Sequence, residues 1–79
     1  MALQYSITHV TNFYKTIYPQ GTVIELLEPI DDLYTPKPIG ARFCVTDIDD
    51  SMQMHGRWAD GGSMAVVIGV DSFRVVHEE

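Results

Sequence analysis

Apolar side chains near the start of the chain recur at helical spacing. The gaps between them are four, three, four and three residues, at Leu3, Ile7, Val10, Tyr14 and Ile17. Such spacing places them on one face of an α-helix. We predict a helix over about residues 6–17, capped by Ser6 and ended before Pro19, because a residue that precedes proline disfavours helical geometry. The helix either packs over one open end of the β-barrel that we predict below for the rest of the chain, or docks a partner. In the second case, Phe13 and Tyr18 also contribute.

After Gly21 the pattern changes to alternating apolar and polar residues, which predicts β-strands. We predict five strands, at residues 22–27, 41–48, 52–58, 63–68 and 73–76. In the third strand, Trp58 shares the apolar face with Met52 and Met54, so we expect it to be buried. Gly56, in the middle of the same strand, indicates a bend or close packing. Asp60 and Gly61 predict a tight two-residue hairpin turn with positive φ.

A long segment, residues 28–40, separates the first two strands and contains Pro29, Pro36 and Pro38. Because proline removes a backbone donor and fixes φ, we predict a stiff loop here. The order of strand, long loop, three hairpin-linked strands, one turn and a short last strand is that of an SH3-like barrel. We therefore predict a single mainly β domain over residues 1–79, with a five-stranded SH3-like barrel over about 22–77 and one N-terminal α-helix.

Acidic residues dominate the charge of this chain. Five Lys or Arg stand against eleven Asp or Glu in 79 residues, a formal net charge of −6. The cations are scattered along the sequence, at Lys15, Lys37, Arg42, Arg57 and Arg74. Neutralising phosphates requires clustered cations. We therefore predict no direct binding to nucleic acid and, instead, a protein partner with a basic surface.

Catalytic, metal and membrane chemistry find little support in the sequence. The histidines, His9, His55 and His77, lack metal-ligand spacing to one another or to the single Cys44, so we predict no metal, no cofactor and no enzyme activity. We expect Cys44 to be a reduced thiol in or near the core. No apolar run approaches a membrane span, and the N-terminus lacks a signal-peptide pattern. These features predict a cytoplasmic protein.

Several short motifs together resemble a known family. They are Tyr18-Pro19-x-Gly21-Thr22, Pro36-x-Pro38-x-Gly40, Asp49-Asp50, Trp58-x-x-Gly61 and Gly69-Val70-Asp71-Ser72-Phe73. The set resembles domain of unknown function 4314, over roughly residues 18–76. The resemblance implies a small SH3-like domain from bacterial phages or mobile elements, and it brings no catalytic residues. The chain departs from the family pattern at Phe43 and Met52, where Gly is usual, at Ala59, where an Asp follows the Trp, and at Ile68, where a Pro precedes Gly69.

The long loop offers the first candidate binding site. It carries Tyr34 beside Asp31 and Asp32. Acidic and aromatic residues in the long first loop of SH3-like barrels bind basic or proline-containing peptides. The alternative is a loop packed on itself, with Tyr34 covering the end of the core.

A second candidate site is an acidic row on the sheet. Asp47 and Asp49 are two residues apart, so in a strand they share one face at about 6.6 Å, comparable to the spacing of successive phosphates. Asp50, Glu25 and Glu28 are expected nearby. The alternative is a solvated face that keeps the protein monomeric.

Two functions are consistent with these sites. The first is a small acidic non-catalytic phage or mobile-element protein that blocks a basic surface of a host protein, as an anti-CRISPR-like inhibitor blocks a CRISPR effector subunit. The second is an SH3-like adaptor that binds a peptide or protein partner through the Tyr34 loop. In either case we expect a monomer or weak homodimer in the cytoplasm of the bacterial host.

Overall fold

The computed structural model describes residues 7–77, with side chains from residue 9 onward. The predicted cap Ser6 and the first residue of the apolar stripe, Leu3, lie outside the described residues. The elements in chain order are helix α1 (Ile7–Ile17) and strands β1 (Val23–Leu26), β2 (Arg42–Ile48), β3 (Gln53–Trp58), β4 (Val66–Val67) and β5 (Phe73–Val75). The prediction of one helix followed by five strands is confirmed.

All five strands form one antiparallel sheet, in the order β4-β3-β2-β1-β5. The first strand is therefore an interior strand, because β1 pairs with β2 on one side and with β5 on the other. No ladder among residues 7–77 joins β4 to β5, so the sheet is not closed as a barrel. The physical reason lies in the edge strands: β4 has two residues and β5 has three, which is too little backbone for a closing ladder.

The connection between β3 and β4 is longer than the predicted two-residue hairpin. Positive φ is confirmed at Gly61, with 98°, but β4 begins only at Val66, so the connection covers residues 59–65. The indole Nε1 of Trp58 donates to the Met64 carbonyl oxygen at 2.8 Å. A side chain therefore satisfies backbone that the prediction assigned to a strand ladder.

The core lies on one face of the sheet. Its buried residues are Ile24, Leu26, Phe43, Val45, Ile48, Met54, Trp58 and Val66. Trp58 is 3% exposed, which confirms its predicted burial. Its ring centroid lies 4.9 Å from that of Phe43, its cross-strand neighbour. Since an aromatic pair of this size supplies much of the apolar area in a short chain, it anchors the centre of the sheet.

Helix α1 packs on its own sheet through two tyrosines. Tyr14 and Tyr18 pack against the core cluster, and the Tyr18 ring meets Phe73 of β5 edge-on at 5.5 Å. Phe13 and Ile17 remain 57% and 45% exposed. The first of the two predicted roles for the helix, packing on the sheet, is therefore confirmed.

A β-bulge bends β2 against β3. Val45 pairs with Gly56, but the next pair is Asp47 with His55, so Thr46 is the extra residue. A Cβ on Gly56 would overlap the Cys44 carbonyl oxygen and lie 3.0 Å from the Phe43 ring. The close packing predicted at Gly56 is confirmed.

The predicted position of Cys44 in or near the core is wrong. Cys44 is exposed. Strand β2 alternates, and burial of Phe43 and Val45 places the residue between them on the outer face. An apolar neighbourhood in the sequence therefore misled the prediction, because neighbours in a strand point to opposite sides.

Candidate functional site

The predicted acidic row is divided by the strand register. Glu25 of β1 lies opposite Arg42 at the start of β2, whereas Asp47 lies near the other end of β2. Positions 42 and 47 are five residues apart along β2, a distance of roughly 16 Å. Glu28 is exposed in the loop after β1. The structure therefore does not bring Glu25 and Glu28 together with Asp47.

Glu25 accepts hydrogen bonds from two arginines on the neighbouring strands. Arg42 Nε donates to its Oε2 at 3.3 Å, and Arg74 Nε donates to its Oε1 at 3.1 Å. The hydrogen bond from Arg74, the charges of both arginines and the hydrogen bond from Arg42 hold the pKa of Glu25 below its usual value. Both carboxylate oxygens of Glu25 thus bond side chains of the adjacent strands β2 and β5.

Asp47 and Asp50 attach helix α1 to the end of β2. Lys15 Nζ lies 3.3 Å from Asp47 Oδ1, and the Thr11 hydroxyl donates to Asp50 Oδ1 at 3.1 Å. Asp47 remains 65% exposed despite this ion pair. These two carboxylates therefore have a structural role, although Asp47 still faces solvent.

Asp49 organises the turn between β2 and β3. Its Oδ1 accepts from the backbone N–H of Ser51 at 2.8 Å and of Gln53 at 3.1 Å. Its Oδ2 lies 2.7 Å from Nε2 of His55. The His55 hydrogen bond, with the two backbone bonds, lowers the pKa of Asp49. Asp49 thus stabilises the turn, a role that Asp commonly has because its side chain accepts hydrogen bonds from nearby backbone N–H groups.

Residues 28–40 form a loop that is closed at its base. The backbone N–H groups of Ile30 and Lys37 each donate to the carbonyl of the other, at 2.9 and 3.0 Å. Asp32 Oδ1 accepts from the N–H groups of Tyr34 and Thr35 at 2.8 and 2.9 Å. These hydrogen bonds lower the pKa of Asp32, and the one from the Thr35 N–H contributes most. Asp32 therefore shapes the tip of the loop.

The loop tip, residues 31–35, presents two large side chains to solvent. Leu33 is 85% exposed and Tyr34 is 87% exposed. The alternative in which Tyr34 covers the end of the core is therefore wrong. Leu33 was not singled out by the sequence, because a lone leucine in a loop has no distinguishing pattern. Its prominence comes from the turn that Asp32 builds.

Two carboxylates in the 28–40 loop carry negative charge that no other described residue compensates. Within the described part of the chain, neither Glu28 nor Asp31 takes part in a hydrogen bond or ion pair, and both are exposed. The other acidic candidates, described above, all have partners. Glu28 and Asp31 are thus the predicted site carboxylates whose charge is least compensated.

Lys37 anchors the loop to the rest of the molecule and was not predicted as a site residue. It is only 7% exposed. Its Nζ lies 2.8 Å from Asp60 Oδ1 and 5.1 Å from the centroid of the Trp58 ring. The Thr35 hydroxyl adds a 3.0 Å bond to the sulfur of Met64. The loop is therefore held against the connection between β3 and β4, a relationship without any local sequence signal.

The described residues also bear on metal and membrane binding. No group of three His, Cys, Asp or Glu residues in that part of the chain is arranged to hold a metal ion. The only helix described, α1, is too short to cross a bilayer.

Comparison with known proteins identifies a family. No curated protein and no solved structure matches the chain. A family model, described as domain of unknown function (DUF4314), matches residues 8–76. The match includes α1 as well as the sheet, so it extends beyond the motifs that carried the resemblance. The chain therefore belongs to the DUF4314 family.

Proposed function

We propose that this protein is a non-catalytic binding module that docks onto a partner protein through the loop tip. The observation that carries the proposal is the exposure of Leu33 and Tyr34, at 85% and 87%, on a turn held by Asp32. Burying two such side chains at an interface contributes about 1.5–3 kcal/mol each. Tyrosine is also among the residues that most often dominate binding energy.

The anchoring of the loop favours this role. A loop that is already ordered loses little conformational entropy on binding. The loop is ordered before any partner arrives. It is held by the two backbone hydrogen bonds between Ile30 and Lys37, the hydrogen bonds to Asp32 and the Lys37–Asp60 ion pair. The tip is thus presented as a rigid projection.

Uncompensated charge in the 28–40 loop specifies the chemistry of the partner. Glu28 and Asp31 are exposed and uncompensated, in a chain of net charge −6. Such charges accelerate association with a basic surface. The proposed partner therefore has an apolar pocket for Leu33 and Tyr34, bordered by Lys or Arg side chains.

The fold is proposed to be an SH3-like barrel that is open between β4 and β5. Support comes from the strand order β4-β3-β2-β1-β5, in which the first strand pairs with the last. A single hydrogen-bonded turn before β5, with the Asp71 N–H donating to the Val67 carbonyl oxygen at 2.9 Å, adds to this support. The long loop then occupies the position of the peptide-binding loop in SH3-like adaptors.

A second candidate is the phage or mobile-element inhibitor that covers a basic host surface, such as a CRISPR effector subunit, in the bacterial cytoplasm. It is favoured by the net charge of −6 and by the 65% exposure of Asp47. In this form, Asp47, Asp49 and Asp50 would contact the partner as a group, and the protein would act as a monomer or weak homodimer.

One experiment separates the two candidates. The full chain is used as bait in a lysate of its bacterial host, and captured proteins are identified by mass spectrometry. The partner is then tested against a Leu33→Ser/Tyr34→Ser variant and against an Asn replacement of Asp47, Asp49 and Asp50. Loss with the loop variant supports the adaptor, and loss with the Asn variant supports the inhibitor.

The matched control is Val70→Ser. Val70 is 77% exposed but lies in the turn before β5, away from the loop sequence. We expect the loop variant to lower affinity at least about tenfold, whereas Val70→Ser leaves it unchanged. A partner that binds the loop variant, the Asn variant and the control equally well contradicts both candidates.

A further inference from the structure

Three of the cations that are scattered along the sequence lie on one face of the sheet. Arg42, Arg57 and Arg74 lie on β2, β3 and β5, and all are exposed. Arg42 and Arg74 both reach Glu25 between them. Arg57 lies opposite Cys44, two residues along the same face of β2 from Arg42. We call these three residues the arginine face. It carries three of the five cations of an acidic chain.

Glu25 prepares two of these arginines for binding. It engages each guanidinium through Nε, at 3.3 Å for Arg42 and 3.1 Å for Arg74. The terminal nitrogens of both groups, on side chains that are 47% and 52% exposed, remain available for a ligand. A guanidinium presents paired N–H groups that match a carboxylate bidentately. Glu25 therefore fixes two guanidinium groups, and its single negative charge leaves the arginine face with a net positive charge.

We propose that the arginine face binds a short acidic segment of a protein in extended conformation. The spacing supports this choice. Arg42 and Arg57, diagonal neighbours on adjacent strands, lie about 7–8 Å apart, and alternate side chains of an extended peptide repeat at about 6.6–6.8 Å. Two glutamates two positions apart in a peptide would thus meet Arg57 and Arg42. Arg74 lies on the other side of β1, two strand spacings or about 9.6 Å from Arg42, so a third glutamate meets it through the length of the two side chains.

A long polyanion fits the face poorly. Asp47 and Asp49 lie at the far end of β2 and in the turn beyond it, next to His55 of β3. Together with a net charge of −6, they repel a continuous phosphate backbone that runs on past the arginines. A segment of only a few carboxylates avoids this repulsion.

The test uses a fluorescein-labelled peptide of alternating glutamate and valine, with a glutamine–valine peptide as its uncharged counterpart. Binding to the full chain is measured by fluorescence anisotropy at low and high salt. We expect the glutamate peptide alone to bind, and Arg57→Gln to weaken it about fivefold. Arg57 has no ion pair among the described residues, so its replacement spares the fold.

Two controls make the outcome decisive. Lys15→Gln removes the same charge from a residue outside the face, paired with Asp47, and is expected to change affinity less than about twofold. A single-stranded oligonucleotide is the competing ligand. Equal effects of Arg57→Gln and Lys15→Gln, tighter binding of the oligonucleotide than of the peptide, or no peptide binding overturns the proposal. Because Leu33 and Tyr34 are intact in these variants, the outcome is independent of the loop.

Discussion

The Lys37 ammonium lies 2.8 Å from an Asp60 carboxylate oxygen, and this ion pair joins the base of the 28–40 loop to the connection after β3. The same ammonium lies 5.1 Å from the centroid of the Trp58 ring. One almost fully buried cation therefore links the loop, the neighbouring connection and the aromatic core. The shape of the proposed binding loop thus depends on a residue that does not itself face the partner.

Replacing Lys37 tests this link. Lys37→Met keeps an apolar stem of similar length but removes the ammonium. We therefore expect a modest loss of stability and faster exchange of the backbone amides of Ile30 and of position 37. Lys37→Ala also removes the stem, and we expect it to cost about 1–3 kcal/mol. Urea denaturation and hydrogen exchange provide the measurements. A Met variant whose loop exchanges as slowly as wild type would show that the ion pair does not hold the loop.

Gly56→Ala is expected to be severely destabilising. An added Cβ would overlap the Cys44 carbonyl oxygen, which is backbone and cannot rotate away, and would press on the Phe43 ring. We expect a loss of about 3 kcal/mol or more, measured by thermal or urea unfolding. Gly62→Ala is the control: a Cβ there meets nothing within 4 Å, and only its φ of 92° opposes the change. Equal losses for the two variants would contradict the steric explanation.

Met52→Gly is expected to stabilise the protein relative to Met52→Ala. Met52 has a φ of 60° and is the non-glycine residue described with positive φ. Left-handed backbone costs an L-residue about 1–2 kcal/mol, offset by the greater chain entropy of unfolded Gly, about 0.5–1 kcal/mol. Both variants lose the Met side chain, so their difference in urea midpoint isolates the backbone term. An Ala variant as stable as the Gly variant would refute this expectation.

Acid is expected to destabilise the fold. Hydrogen bonds from Lys37 to Asp60, from His55 to Asp49 and from the Thr35 backbone to Asp32 lower the pKa of each carboxyl. Because the folded pKa lies below the unfolded one, the unfolded chain binds more protons in acid. Stability is therefore full above the unfolded pKa of about 4 and is lost as pH falls through the folded values.

Urea midpoints measured from neutral pH into acid check this dependence. Asp60→Asn removes one of the contributing carboxyls, so its midpoint should fall less steeply with pH than that of wild type. A midpoint that stays constant or rises in acid would be incompatible with the lowered pKa values.

The single thiol is expected to react without unfolding. Cys44 is exposed on the outer face of β2. A thiol reagent should therefore modify one cysteine per native chain, at a rate that urea below the unfolding transition changes little. Protection of the thiol in the native protein, released only on unfolding, would return Cys44 to the core.

Periodicity along the sequence determined the elements and, in β1, the side chains that point inward. The helical stripe gave α1, and the alternation around Glu25 placed Ile24 and Leu26 inside, as the structure has them. Trp58 and the close packing at Gly56 were also predicted from the sequence. These features are local: side-chain direction in a helix or strand follows from the backbone repeat, whatever the element packs against.

The tertiary structure decided every relationship that depends on strand register or on distant loops. Pairing β1 with both β2 and β5 placed Glu25 between Arg42 and Arg74, instead of beside Asp47. Sequence distance gives no access to such pairings, since register is fixed by which faces are buried together. The burial of Lys37 against a residue 23 positions away has the same origin. The sequence by itself determined the helix and the strands. Only the packed sheet decided which charges meet, that Cys44 lies outside and that Lys37 is buried, because electrostatic partners and burial are set by distances in space.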